Sequence, residues 1–361
     1  MRATTEIYRA RMEKLKKAIL NADGKGYIIG GLSNAYYLTG HLEAGDSLLF
    51  LLVTLDDRPR LVVNRMNQSQ AEEEAQGVTV EGVKTRDKYV EAILDFASNN
   101  SGGPLFFDEI SAYFYAQLTQ RGSRIKLQQR SDLLWQLRVL KTGFELGLMK
   151  KAAELASLGA RKAVEEARTG VKEYELAAEA EYAMRKHGAQ GFAFETIVAS
   201  GPRSAWPHGA CGDRRLRKGD SVVMDLGATF KGYRSDITRT VFVGQASGTQ
   251  RKLYRTVLSA RRAALKKIKA NVAATNVDAS ARRVIEAAGL GRFFVHGTGH
   301  GIGIDVHEPP RLSFNSKEKL PANAVVTVEP GVYIPDKLGV RIEDMVLVTD
   351  EGFSMLTDCP V

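Results

Sequence analysis

Between Thr5 and Asn21 apolar residues recur every three or four positions, and the run stops at Asp23-Gly24. That pattern predicts an amphipathic helix closed by a turn. Tyr27-Ile28-Ile29 reads as a strand, as do residues 47–54 and 60–64, which flank a turn at Asp56-Asp57-Arg58-Pro59. The strongest apolar run, Leu48-Leu49-Phe50-Leu51-Leu52-Val53, is far too short to cross a bilayer and reads as a buried strand. Residues 68–76 and 89–97 carry helical spacing, and Leu105-Phe106-Phe107 forms a strand after the breaker-rich stretch 99–104. The alternation predicts a smaller α/β domain over residues 1–131.

A helical zone follows, at 132–140, 145–168 and 174–187. The first of these reads as a linker, placing a boundary near residue 132. From Thr196 onward strands dominate, interrupted by helices at 250–269 and 277–288. Helices clustered away from strands predict an α+β catalytic domain over 132–361. That region contains an internal echo. Ser221-Val-Val-Met-Asp225-Leu-Gly-Ala-Thr-Phe230 resembles Ala324-Val-Val-Thr-Val-Glu329-Pro-Gly-Val-Tyr333. Each copy leads to a second acid, Asp236 or Glu343, followed by an apolar strand. Both copies read as hairpins with one carboxylate on each arm, so two of them face to face would gather four carboxylates around one point.

Composition narrows the class. The chain has 361 residues, 44% apolar and 26% charged, as expected of a globular protein. The charged N-terminal stretch has no apolar core suited to a signal peptide. Two cysteines, Cys211 and Cys359, argue against a disulfide framework and suit a reducing cytoplasm. The net charge of +9 passes a crude screen for nucleic-acid binding. Its basic residues are dispersed, and the run Arg261–Lys269 has the spacing of a solvated helix face, so neither a nucleic acid nor a membrane is expected as partner.

Asp225, Asp236, His300, Glu329 and Glu343 then carry the chemistry. Any one acid beginning a turn is more often a turn former than a ligand. Together they form a hard, oxygen-rich set without sulfur, suited to Mn, Co, Zn or Fe. Four ionised carboxylates in one pocket repel, and two divalent cations offset that charge. Such a pair, about 3.5–4 Å apart, activates water and stabilises an oxyanion, which points to hydrolysis. The glycine string from His296 to Gly303 does not give the dinucleotide spacing, and neither a phosphate-binding loop nor a serine nucleophile elbow occurs. Cys211 lies near His208 without an activating third group and reads as a bystander.

These segments resemble the pita-bread metallopeptidases: methionine aminopeptidase, aminopeptidase P, prolidase and creatinase. The resemblance is strongest from Trp206 to Val348. It rests on the ligand spacings, eleven positions from Asp225 to Asp236, seven from His300 to His307 and fourteen from Glu329 to Glu343. It implies a pita-bread catalytic domain preceded by a creatinase-type N-terminal domain. It also implies that Asp225 binds one metal, that Asp236 and Glu343 bridge both, and that His300 and Glu329 complete the other, with Glu329 as general base. His208 and His307 match histidines that contact substrate and assist catalysis. Arg311 would pair with the carboxylate of a terminal proline, and Arg341 would orient ligands or close the site over substrate. Thr238 and Thr240 would bond the ligands from behind, and His296 reads as structural.

The implied activity is hydrolysis of the bond before proline by a Xaa-Pro dipeptidase of the prolidase type, acting with two divalent metal ions (Mn, Co or Zn) as a homodimer. Its substrate would be a proline-containing dipeptide or short peptide. Xaa-Pro aminopeptidase is the alternative, differing in what limits the pocket to two residues. A complete ligand set argues against the metal-free creatinase chemistry and against a non-enzymatic pita-bread binding protein.

Overall fold

The computed structural model describes residues 5–43, 47–122 and 125–360. Two compact units divide the chain, Met1–Arg138 and Val139–Val361.

In the first unit, strands β1 (Gly26–Ile29), β2 (Leu49–Thr54), β3 (Arg60–Asn64), β4 (Thr79–Val83), β5 (Pro104–Phe107) and β6 (Lys126–Gln129) form one sheet in the order β4-β3-β2-β1-β5-β6. The strand β2 lies inside the sheet with five of its six residues buried, which is why its sequence is a continuous apolar run without alternation. On one side Phe50, Tyr89 and Phe114 pack edge to face, with the rings of Phe50 and Phe114 4.8 Å apart. The helix Ser131–Arg138, expected to link to the second domain, belongs to this unit: Leu133 and Leu134 are buried, and Arg138 donates to Asn34 Oδ1 at 2.7 Å.

The second unit contains β7 (Gly191–Phe192), β8 (Ile197–Ser200), β9 (Ser221–Leu226), β10 (Ala228–Phe230), β11 (Tyr233–Arg234) and β12 (Ile237–Phe242), then β13 (Gly299–Gly301), β14 (Glu308–Leu312), β15 (Val325–Val328), β16 (Gly331–Ile334), β17 (Leu338–Arg341), β18 (Asp344–Val348) and β19 (Phe353–Met355). Its sheets run β12-β9-β8, β11-β10-β7, β14-β13-β15-β18-β19 and β16-β17.

Two helix–helix–hairpin halves emerge from this list. Helices Gly143–Glu166 and Glu173–Lys186 pack through Ala156, Ala160, Ala163, Leu176 and Ala180 onto β9 and β12. Helices Gly248–Leu265 and Ala274–Ala287 pack through Leu253, Val257, Val277, Ala281 and Ile285 onto β15 and β18. Both long helices, Gly143–Glu166 and Gly248–Leu265, begin at a reciprocal cap, Thr142 with Glu145 and Ser247 with Gln250.

The echo in the sequence corresponds to this repetition, with one correction. Neither copy is a simple hairpin. β9 pairs antiparallel with β12, and the short hairpin β10/β11 is inserted at their open end; β15 pairs with β18 in the same way, around β16/β17. At the first tip Lys231 and Gly232 both take positive φ, the geometry of a two-residue turn that follows strand twist.

Candidate metal centre

Each acid stands where a long strand meets its inserted hairpin. Asp225 lies near the end of the buried strand β9, with Ile197 and Thr238 beside it in register. Asp236 immediately precedes β12, and its N–H points at Met345 Sδ, 3.1 Å away. Glu329 follows β15 and donates its N–H to Thr298 O at 2.7 Å. Glu343 precedes β18, with its N–H on Thr238 O at 3.1 Å and its Oε2 accepting from the Thr238 hydroxyl at 2.7 Å. The two halves therefore join at Thr238 and Glu343, and all four carboxylates turn to the seam.

His300 enters from β13. A Cβ at Gly299 would sit 2.1 Å from Thr327 O, and one at Gly301 would sit 2.1 Å from Pro309 O. The glycine string thus serves close backbone approach: it lets β13 press against its neighbours so that His300 reaches the acids. His300 Nδ1 lies 2.9 Å from Gly301 O. A carbonyl only accepts, so Nδ1 carries the proton and Nε2 offers its lone pair to the centre. That Nε2 lies 3.3 Å from Glu329 Oε1 and 3.8 Å from Asp236 Oδ2. Burial lowers the His300 pKa, favouring this neutral form.

Asp236, His300 and Glu343 each offer a ligand atom within 4.8 Å of the others. Among the described residues, Asp225 Oδ1, Asp236 Oδ1 and Glu343 Oε1 are buried and meet no hydrogen-bond donor. A buried carboxylate oxygen without a donor is costly in a folded protein. Burial holds Asp236 and Glu343 well above the usual carboxylate range, and repulsion adds to it: from Glu343, Asp225 and Glu329 on Asp236, and from Glu329 and Asp225 on Glu343. Glu329 is also raised, by burial first, with His296 and Arg341 opposing. Unpartnered oxygens, crowded acids and a neutral imidazole fit divalent cations of the oxygen- and nitrogen-binding kind.

Of the two roles expected of Arg341, its contacts support orienting the candidate ligands. Its side chain is only 4% exposed, and its donors are engaged within the protein. Nη2 donates to Asp225 Oδ2 at 2.5 Å, Nε to Thr238 Oγ1 at 3.1 Å, and Nη1 to Pro207 O at 3.0 Å and Tyr333 Oη at 2.7 Å. It orients Asp225 directly and Glu343 through Thr238, and its fork is not free for substrate. Thr240 bonds the Arg341 backbone instead of a ligand. Tyr333, which the sequence reading missed, extends the chain of bonds: His296 Nε2 lies 3.0 Å from its hydroxyl while His296 Nδ1 bonds Gly297 O. Burial raises the Tyr333 pKa to about 12, so the hydroxyl remains a donor to His296. Thr327 was also missed; its hydroxyl receives the His300 N–H at 3.1 Å. Both lie in the echo segment around Glu329, but nothing in that segment shows which of its side chains reach His296 or His300.

His208, His307 and Arg311 are exposed around this centre. Arg311 pairs in register with His300 across β13 and β14, and the His307 ring packs 4.4 Å from the His300 ring. Partial burial, followed by the charges of His300, Arg311 and His208, pushes the His307 pKa down to about 4. His208 sits on a loop tied at both ends to Glu173, which is fully buried. Glu173 accepts from Ser200 N and Oγ at 2.8 and 2.7 Å, from Gly212 N at 3.0 Å, and from Arg203.

Comparison with known proteins agrees with this geometry. The pattern of metallopeptidase family M24 matches residues 147–350, and that of the creatinase/prolidase N-terminal domain matches residues 11–140. The Xaa-Pro dipeptidase of Pyrococcus furiosus is 36% identical over 347 residues, 96% of this chain and 97% of that one. Among solved structures, the prolidase of Pyrococcus horikoshii superposes with a TM-score of 0.91 at 34% identity, over 97% of this chain and 99% of that one. The X-Pro aminopeptidase of Thermotoga maritima gives 0.89 at 33%, over 97% and 98%. With its pattern of acids and His300, its two helix–helix–hairpin halves and matches along nearly its whole length, this chain belongs to metallopeptidase family M24, in the branch that carries a creatinase/prolidase N-terminal domain.

Proposed function

We propose that this enzyme hydrolyses the bond before proline in Xaa-Pro dipeptides, with Asp225, Asp236, His300, Glu329 and Glu343 holding two divalent cations. The observation that carries this reading is the set of buried, donor-free oxygens on Asp225, Asp236 and Glu343, together with ligand atoms of Asp236, His300 and Glu343 within 4.8 Å of one another. Mn, Co and Zn all suit that donor set. Bound cations would supply acidification of a water and polarisation of the scissile carbonyl.

The chain's own groups do the rest. Glu329, at the edge of the centre, accepts a proton from the attacking water. His307, with its pKa near 4, is neutral around pH 7 and acts by hydrogen bonding. His208 contacts the substrate from the opposite loop. Arg311, exposed beside His300, pairs with the terminal carboxylate of the proline. Cys211 and Cys359 are both free thiols, which supports a reducing cytoplasm as the working compartment. Homodimer assembly completes the reading.

A second reading, Xaa-Pro aminopeptidase, draws support from the Thermotoga maritima structure, which is as similar as the prolidases. A panel of Xaa-Pro dipeptides, tripeptides with central proline and methionyl peptides, each with Mn, Co or Zn, separates the readings. Preference for dipeptides supports the first. Faster cleavage of tripeptides replaces it with the second, and no cleavage of any proline peptide refutes both.

A further inference from the structure

A second buried cluster lies behind the candidate ligands. Thr238 turns its hydroxyl to Glu343, and the next residue on β12, Arg239, projects to the opposite face. Its guanidinium is fully engaged. Nη1 donates to Thr238 O at 2.9 Å and to Glu343 O at 2.6 Å. Nη2 donates to Asp344 Oδ1 at 2.8 Å and to Cys359 O at 2.6 Å. Nε reaches Cys359 O and Pro360 O, both at 3.1 Å. Asp344 accepts in addition from Arg261 Nε at 2.7 Å and from the Thr357 hydroxyl at 2.8 Å. Thr357 in turn receives the Met345 N–H at 3.2 Å, and Met345 Sδ receives the Asp236 N–H.

The backbone of Glu343 is therefore held on both its N–H and its carbonyl, and the Asp344 side chain that follows is held as well. The Glu343 N–H is on Thr238 O, its carbonyl is on Arg239, and the following side chain is held by two arginines and a threonine. We infer that Arg239 is a positioning residue which, with Asp344 and the 357–360 segment, fixes the backbone of Glu343 so that its unpartnered Oε1 faces the metal. The inference rests on the reading of Glu343 as a metal ligand. Lysine offers three donors on a point charge in place of five on a rigid fork, so Arg239→Lys keeps the charge but loses part of this grip.

The test uses the full chain and Co2+ as the probe, followed by equilibrium dialysis and visible absorption. Arg239→Lys weakens Co2+ binding by about tenfold or more and changes the absorption bands, which report ligand geometry. The melting midpoint of its metal-free form stays within a few degrees of the parent. Thr357→Val, close in shape, acts in the same direction by a smaller factor and decides the matter if Arg239→Lys fails to fold. Folded variants that bind Co2+ with parental affinity and spectrum overturn the inference while leaving the metal centre intact. A parent chain that takes up no Co2+ overturns the metal-centre reading itself.

Discussion

Arg341 donates to Asp225 across 2.5 Å, Nη2 to Oδ2, with the two side chains only 4% and 13% exposed. A buried pair of this kind fixes direction: with one oxygen held by the guanidinium, Asp225 presents the other, Oδ1, to the centre. Arg341→Lys should lower retained metal about tenfold or more after dialysis and reduce kcat with it. KM at saturating metal should stay within about twofold, because no donor is given up by a substrate. A rise in KM with full metal content would return Arg341 to the substrate pocket.

Glu343→Gln separates function from stability. The substitution should abolish metal uptake and turnover. It also removes one of several crowded acids, so at pH 8 the metal-free variant should be more stable than the metal-free parent. Denaturant melts in a chelator check this; a less stable variant counts against the repulsion described here.

Metal-free stability should also depend on pH in a defined sense. Asp236, Glu329 and Glu343 have pKa values raised by folding. Their stabilising contribution is complete below the unfolded carboxyl range, about 4, and is lost as pH rises through the folded values. Chelated protein should therefore melt lower at pH 8 than at pH 5. Saturating Mn2+ should remove or reverse that trend, and metal uptake should release protons, measurable as a buffer-dependent binding enthalpy. Uptake without proton release would contradict the assignment.

The exposed histidines should behave differently from the ligands. Replacing His208 or His307 with Ala should lower kcat/KM by about 10²–10⁴ with metal content unchanged. Because His307 titrates near 4, the His307→Ala profile between pH 5 and 8 should parallel that of the parent. Metal loss in either variant would move that histidine into the ligand set.

Glu173 anchors the His208 loop from a distance. Glu173→Ala leaves Arg203 and the Ser200 and Gly212 N–H groups without their acceptor, at a cost of about 3 kcal/mol or more. Limited proteolysis should then cut between residues 200 and 212; an intact loop would show that the anchor is dispensable.

The sequence exposed those features that local pattern controls. The strand β2 announced itself because both its faces are buried, and Asp225 stood out because it closes a run of buried strand residues. The edge strands β4 and β6 gave no signal, since largely solvated backbone pairing needs no apolar alternation. Helices Leu32–Thr39 and Ala112–Arg121 were missed because, at 8 and 10 residues, they are too short for an apolar period to repeat more than about twice. The candidate ligand acids stood out through the echo, whereas the Arg341–Tyr333–His296 chain and the Arg239 cluster did not. Those depend on partners such as Asp225, Thr238 and Cys359, roughly a hundred positions away from the residues they bond, a separation no window along the chain can span.

The doubled hairpin imposes a timetable on synthesis. Asp225 and Asp236 leave the ribosome with the first half, but Glu329 and Glu343 follow only near the end, and the contact between Thr238 and Glu343 cannot close before then. On the ligand assignment proposed above, a chain holding only Asp225 and Asp236 offers a cation half a cage, and the full set of donors exists only once Glu343 has been made.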